Sequence, residues 1–249
     1  MNSSQEAGYY DRYWQPNVAW SPSAGELNAL ELSLISSSAK PGHICLDYGC
    51  GDGRRYGVAL QNMGYSYIGF DVSPEAVRMA QDLGLRAELL SNDGNTSLES
   101  DSCDIAICFE VFEHLLEPET ALKEILRVLK PHGVLIASVP NAAHWFARVE
   151  FSVTGFWLPG GRPGTSRKTP WNDPHIRFFS PDVLRRFIRT YGFSSVKIIP
   201  NEFSLAALPY IYKHKGLANL ANRISTPIGW ISKLSPGLFA SRIFAMAVK

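Results

Sequence analysis

Short apolar runs alternate along this chain with stretches in which apolar positions recur every three or four residues. The runs fall at 44–46, 67–70, 87–90, 104–109, 133–139, 195–199 and 244–248. Their length and apolar content predict strands, the first of them buried on both faces. Between them, residues 23–39 carry Leu27, Leu30, Leu34 and Ile35 at helical spacing, and residues 54–63 read as a helix that Gly64 stops. Ser73 and Pro74 make an N-cap and first-turn pair, Glu75 suits the helix dipole, and Gly84 closes that helix. Pro118 opens another, with Ala121, Leu122, Ile125, Leu126 and Leu129 on one face and Lys130-Pro131 as its stop. A last one over 181–191 begins at Ser180-Pro181 and ends at Gly192. Strand and helix in alternation predict an α/β fold.

The first strand carries the sharpest local signal. Ile44, Cys45 and Leu46 run into Asp47 and then into glycines at 49, 51 and 53. Such a turn lets backbone come against a ligand, because no side chain keeps the ligand away. Strand, glycine turn and helix form the first unit of a nucleotide-binding fold. The spacing is GxGxG, whereas a dinucleotide site needs GxGxxG, and Arg54 stands where its third glycine would be. A nicotinamide-dependent oxidoreductase is therefore disfavoured, and the absence of Gly-Lys-Ser/Thr excludes a P-loop. The second strand ends in Asp71, 20 residues after Gly51, the distance at which an acid accepts hydrogen bonds from ribose hydroxyls.

LDYGCGDG, IGFDVSPEAV, CDIAICFEVFEHL and VLKPHGVLIASVPN, in that order, resemble the successive motifs of the class I S-adenosylmethionine-dependent methyltransferases. Within that class the chain is most similar to the small-molecule branch that includes the ubiquinone-biosynthesis O-methyltransferases. The match is good over 42–141 and weaker in HIRFFSP and the terminal strand. The resemblance implies a Rossmann-like sandwich with a mostly parallel seven-stranded sheet whose last strand is antiparallel. It implies S-adenosyl-L-methionine as cofactor, with Asp47, Gly49, Cys50, Gly51, Gly53, Asp71 and Val72 around it. The adenine amino group is implied to meet Asp93, or Asn92 one register off. Asn-Asp-Gly is equally a surface turn signal. Phe109 and Glu110 fall where relatives contact the methionine part of the cofactor.

His114, just past the fourth strand, is the expected catalytic residue. A neutral imidazole takes a proton near pH 7, as methylation of a phenol-like hydroxyl requires. The alternative is that it packs or caps the following turn. Glu113 either orients the imidazole through its other nitrogen or is solvated.

Composition narrows the picture further. With 249 residues, 45% hydrophobic, the chain suits one compact enzyme, expected to be a single methyltransferase domain over 1–249. A net charge of +1 argues against bulk attraction to nucleic acid. The four cysteines, 45, 50, 103 and 108, form two C-x4-C pairs. Strand placement of Cys45 and Cys108 and the irregular spacing favour buried thiols over zinc, and no metal is expected. Reduced thiols, no signal sequence and no run of ~20 apolar residues point to a cytoplasmic protein.

Three segments stand outside the core at 41–141. The N-terminal 1–40, with Tyr9, Tyr10, Tyr13 and Trp14, is either a packed helix or a lid over the cofactor. Residues 142–179, aromatic, glycine-rich and basic, read as an irregular substrate cap. Residues 203–241 are an apolar and basic insertion. After Glu202 there is no acid but six Lys or Arg, so 203–249 either touches a membrane or packs on the body. The expected activity is methyl transfer to a small or lipid-like acceptor, on oxygen before nitrogen or carbon. A non-catalytic cofactor-binding partner protein is the rival from another class.

Overall fold

A computed structural model describes residues 8, 29–155, 157, 174–205 and 214–249. Seven strands make one sheet: β1 (Ile44–Tyr48), β2 (Ser66–Asp71), β3 (Ala87–Leu89), β4 (Cys103–Phe109), β5 (Leu129–Pro140), β6 (Ser195–Pro200) and β7 (Arg242–Val248). Their order is β3-β2-β1-β4-β5-β7-β6. The first five pair parallel, while β7 runs antiparallel to both of its neighbours. This is the Rossmann-like arrangement that the motif order implies, with its antiparallel last strand. The helices are α1 (Ala29–Ser38), α2 (Gly57–Asn62), α3 (Pro74–Asp82), α4 (Pro118–Val128), α5 (Trp145–Thr154), α6 (Pro181–Thr190), α7 (Lys215–Ser225), α8 (Ile231–Leu234) and α9 (Pro236–Phe239).

The core explains why the central strands are mostly apolar on both faces. Successive side chains point to opposite faces, and both faces are covered. Leu46, Phe70, Ala106, Leu122 and Leu135 lie in one buried cluster; Ile35, Cys45, Leu60, Ile105, Ile107 and Ile136 lie in the other. Each such Leu or Ile fully removed from water contributes roughly 1.5–3 kcal/mol. Order along the sheet reverses at β1, which lies between β2 and β4, and open α/β sheets bind ligands beyond the carboxyl ends at such a reversal.

Several local expectations shift. The helix expected over 54–63 begins only at Gly57, because Asp52 Oδ1 accepts the Arg54 N–H at 3.1 Å and keeps that stretch a turn. The strand expected at 133–139 starts at Leu129, which pairs with Cys103, and His132 at φ 66° accommodates the irregularity after that pair. Leu129 therefore belongs to β5, not to the face of α4. The stretch read as irregular from 142 contains the ten-residue α5. The proposed aromatic lid, most of the glycine-rich part of the cap and residues 206–213 of the second insertion lie outside the described residues.

Candidate functional site

The glycine turn is tied to the end of β2 by backbone. Gly49 and Cys50 N–H both donate to the Phe70 carbonyl, at 2.8 and 3.0 Å. A Cβ on Gly49, at φ 83°, would overlap the Val111 side chain, and Gly51 turns at φ 56°, so neither position suits an L side chain. Gly51 N–H donates to Asp71 Oδ2 at 2.8 Å and Ser73 N–H to Asp71 Oδ1 at 3.0 Å. Asp71 thus sets the shape of the turn, a role its sequence position did not disclose. Val72 comes next, half-buried, and Ser73 caps α3 by accepting from Ala76 N–H at 3.2 Å. The Gly53 N–H closes the turn onto the Cys50 carbonyl at 3.1 Å.

Asp47 lies beneath this turn with 2% exposure and accepts a 2.8 Å hydrogen bond from the Tyr67 hydroxyl. Burial pushes its pKa up to about 7, against the Tyr67 hydrogen bond and with help from the Asp71 charge. Cys50 is buried too, and burial raises its thiol, so this residue contributes backbone rather than reactivity. All four cysteines are reduced and buried.

Asn92 and Asp93 are exposed beyond β3. Asp93 takes its hydrogen bonds locally, from Ser91 Oγ at 2.5 Å and Asn95 Nδ2 at 2.7 Å, which is the turn chemistry that Asn-Asp-Gly suggests. The Tyr48 hydroxyl donates to the Gly94 carbonyl at 2.8 Å and fixes this turn against β1.

At the end of β4, Phe109 is buried and Glu110 turns at φ 58°, a conformation that costs a side-chain-bearing residue of order 1–3 kcal/mol. The Glu110 carboxylate accepts from Arg242 Nε at 2.8 Å and Ser138 Oγ at 3.0 Å. Arg242 also donates to Glu31 Oε1 at 2.5 Å, and Glu31, with 0% exposure, accepts further from Arg55 and the Tyr56 hydroxyl, each at 3.1 Å. Sequence reasoning missed this network. Its one visible signal is that Glu31 shares the apolar stripe of Leu27, Leu34 and Ile35.

Beyond Glu110, a turn places Glu113 and His114. Glu113 has 1% exposure, which overturns the solvated reading, and its carboxyl pKa is raised by burial and then by the Glu110 charge. His114 Nδ1 lies 3.1 Å from the Pro174 carbonyl. A carbonyl only accepts, so Nδ1 carries a proton toward it. Nε2 is 3.8 Å from Glu113 Oε1, too far for a hydrogen bond, so Pro174 and not Glu113 orients the ring. His175 stacks on His114 with ring centroids 4.7 Å apart. Among the described residues, Glu113, His114 and His175 bring one ligand-type atom each within 4.8 Å of one another.

Away from this edge, α7, α8 and the turn between them expose Leu217, Leu220, Ile224, Ile228, Trp230 and Leu234, the last by 71%. No helix among the described residues is long and apolar enough to cross a membrane.

These features match known proteins. A methyltransferase domain family model covers residues 24–198. The ubiquinone biosynthesis O-methyltransferase of Paraburkholderia phymatum is 28% identical over 197 residues, 75% of this chain and 80% of that one. Its counterpart in Ralstonia nicotianae is 27% identical over 218 residues, 84% and 87%. Among solved structures, a SAM-dependent methyltransferase from Archaeoglobus fulgidus superposes with a TM-score of 0.59 at 18% identity, over 88% of this chain and 92% of that one. The [4+2]-cyclase SpnF does so with 0.58 at 19% identity, over 100% and 97%. With that model matched over more than half its length, and with this sheet order and motif order, the chain belongs to the methyltransferase domain family as a class I S-adenosylmethionine-dependent enzyme.

Proposed function

We propose that this enzyme methylates a hydroxyl oxygen of a small or lipid-like molecule at the carboxyl edge of β4. The observation that carries the reading is the His114 ring, which follows the carboxyl end of β4 with Nδ1 3.1 Å from the Pro174 carbonyl. The O-methyltransferase names of the relatives at 27–28% identity support the same acceptor atom.

The residues present fit the cofactor: a turn whose glycines suit no L side chain, a buried Asp71 and a held Glu110 all follow the carboxyl ends of β1, β2 and β4. Bound there, S-adenosylmethionine supplies a methyl on a positively charged sulfur that is already a good leaving group. Asp71 receives the ribose hydroxyls, while Glu110, fixed by Arg242 and Ser138, meets the methionine part. Asn92 and Asp93 border the adenine end. His114 Nε2 takes the acceptor's proton, and the Pro174 carbonyl stabilises the imidazolium so formed. The remaining task is alignment without water, which by itself lowers a barrier by several kcal/mol.

Incubating a lysate with the enzyme and isotopically labelled cofactor, then searching for a labelled product, tests the reading. A labelled ether or ester is expected. Cofactor binding without any labelled product would favour the non-catalytic partner, and the cyclase neighbour illustrates that the fold alone does not fix the reaction.

One observation favours an apolar acceptor reached at a lipid surface. Leu220, Ile224, Trp230 and Leu234 are exposed beside Arg223 and Lys233 in a stretch without acids. Partial insertion would remove that apolar surface from water, and each basic residue beside anionic lipid contributes ~1 kcal/mol. Sedimentation with anionic vesicles at low salt, and release at high salt, is the expected behaviour; protein left in the supernatant at low salt defeats it.

A further inference from the structure

We propose that the cavity enclosed by the segment after β5, the first residues of α6 and the start of α9 binds the phosphate group of a phosphate ester. The cavity measures about 410 Å3, within the roughly 300–1,000 Å3 of small-molecule sites. Its wall carries Arg148 of α5, Arg185 of α6, the hydroxyls of Ser180 and Ser235, and one acid, Asp182.

A single buried side chain builds this cavity. Asn141, with 0% exposure, donates from Nδ2 to the Ala240 and Pro236 carbonyls at 2.6 and 3.0 Å, and its Oδ1 accepts the Ala143 N–H at 3.0 Å. The Ala142 N–H donates to the Phe179 carbonyl at 2.9 Å, which brings Ser180 alongside. The three walls are therefore fixed to one another by hydrogen bonds at the carboxyl end of β5, the strand next to β4 in the sheet.

The donors identify the ligand. Arg148 Nε donates to the Ala143 carbonyl at 2.7 Å, which holds the guanidinium and leaves both terminal nitrogens without a partner among the described residues. Arg185 gives Nη1 to Asp182 at 2.8 Å and keeps Nε and Nη2. Ser180 Oγ accepts the Val183 N–H, so its own proton is left to donate, and Ser235 Oγ makes no hydrogen bond among the described residues. The Asp182 side chain, 75% exposed, offsets one of the two positive charges, and the other remains. Four guanidinium nitrogens and two hydroxyls exceed the roughly four acceptor sites of a carboxylate, and they suit the oxygens of a phosphate ester, which arginine forks bind in pairs. The volume beyond that group takes the organic part of the ester.

The ester has two possible carriers. Ser235 directly follows Leu234, which is 71% exposed next to Lys233 in α8, so a lipid whose chains meet that apolar surface would bring its phosphate to the cavity. A soluble ester presents the same group. The inference depends neither on the acceptor atom nor on His114, so loss of the methyl-transfer reading leaves it standing.

Titration of the full chain with phenyl phosphate and with benzoate, followed by calorimetry, tests it. One phenyl phosphate site per chain is expected, with benzoate at least tenfold weaker. Arg148→Ala and Arg185→Ala should each lower the affinity about tenfold or more. Gly237→Leu should do the same with no charge removed: a Cβ there lies 3.9 Å from Pro181, an ordinary contact, so the backbone accepts the side chain and the cavity loses the space. Near-ultraviolet circular dichroism and cofactor affinity, both expected unchanged, confirm that the variants fold. Absence of phenyl phosphate binding, folded variants that bind like the parent, or benzoate bound as tightly as phenyl phosphate overturns the proposal. Vesicles containing phosphatidic acid then separate the carriers. Competition between these vesicles and phenyl phosphate, lost in the arginine variants, assigns a lipid-borne phosphate; phenyl phosphate binding that such vesicles disturb no more than neutral ones assigns a soluble ester.

Discussion

Arg242 at the start of β7 donates from Nη1 to Glu31 of α1, 2.5 Å away across 211 residues of sequence, and from Nε to Glu110 at the end of β4. One guanidinium thereby ties together an N-terminal helix, the last strand and the residue that follows β4. Replacing it leaves two carboxylates short of a partner, one of them fully buried. Arg242→Ala is expected to destabilise the protein by ~3–5 kcal/mol in urea unfolding and to weaken cofactor binding. Arg242→Lys should recover little, because an ammonium cannot reach Glu31, Glu110 and Ser138 in one geometry. A loss under ~1 kcal/mol for the alanine variant would show that the network is incidental.

Asp71 holds the glycine turn through two backbone N–H donors and is proposed to receive the ribose as well. Asp71→Ala removes both the expected ribose acceptor and the acceptor for Gly51 N–H, so cofactor affinity should fall tenfold or more by calorimetry. Asp71→Glu keeps the charge but displaces it by one methylene, and it should weaken binding while retaining most of the fold's stability. Unaltered affinity in the alanine variant would remove Asp71 from the site.

Gly51→Val should abolish cofactor binding, since the turn then carries a side chain where the crevice needs backbone. The φ of 56° adds a second cost of ~1–2 kcal/mol to the apo protein itself, so its melting temperature should fall as well. Normal binding in a folded variant would place the crevice elsewhere.

Asp47 predicts a pH dependence of stability. Its folded pKa of about 7 lies above the ordinary carboxyl value, so the native state keeps a proton that the unfolded chain releases. Its contribution is therefore greatest in acid and is lost as pH rises from about 4 to about 7, by up to roughly 4 kcal/mol. Asp47→Asn preserves an acceptor for the Tyr67 hydroxyl and should lose this dependence. Urea unfolding between about pH 4.5 and 7.5 should show the variant gaining on the parent as pH rises; parallel curves would contradict the assignment.

Signals that act over a few residues were legible in the chain. Ser73 and Ser180 cap their helices as their Ser-Pro pairs suggest, accepting from Ala76 and Val183 N–H. The apolar runs became strands because a run covered on both faces needs no alternation, and the glycine turn with its downstream acid is a local pattern. Where a local interaction opposed propensity, the boundary moved: Asp52 delays the helix after the glycine turn, and His132 carries β5 back to Leu129.

The sequence by itself determined the alternation of elements, hence the sheet and the family, and it pointed to the carboxyl ends of β1, β2 and β4. It marked Asp71, Glu110 and His114 as residue types in informative places, but not what each one touches. Only tertiary structure decided that Glu31 is the buried partner of Arg242, that Pro174 and not Glu113 orients His114, and that His175 stands beside it. The reason is physical: those contacts join residues 60 to 211 positions apart, and no periodicity or local hydrogen bond encodes which distant groups packing will bring together.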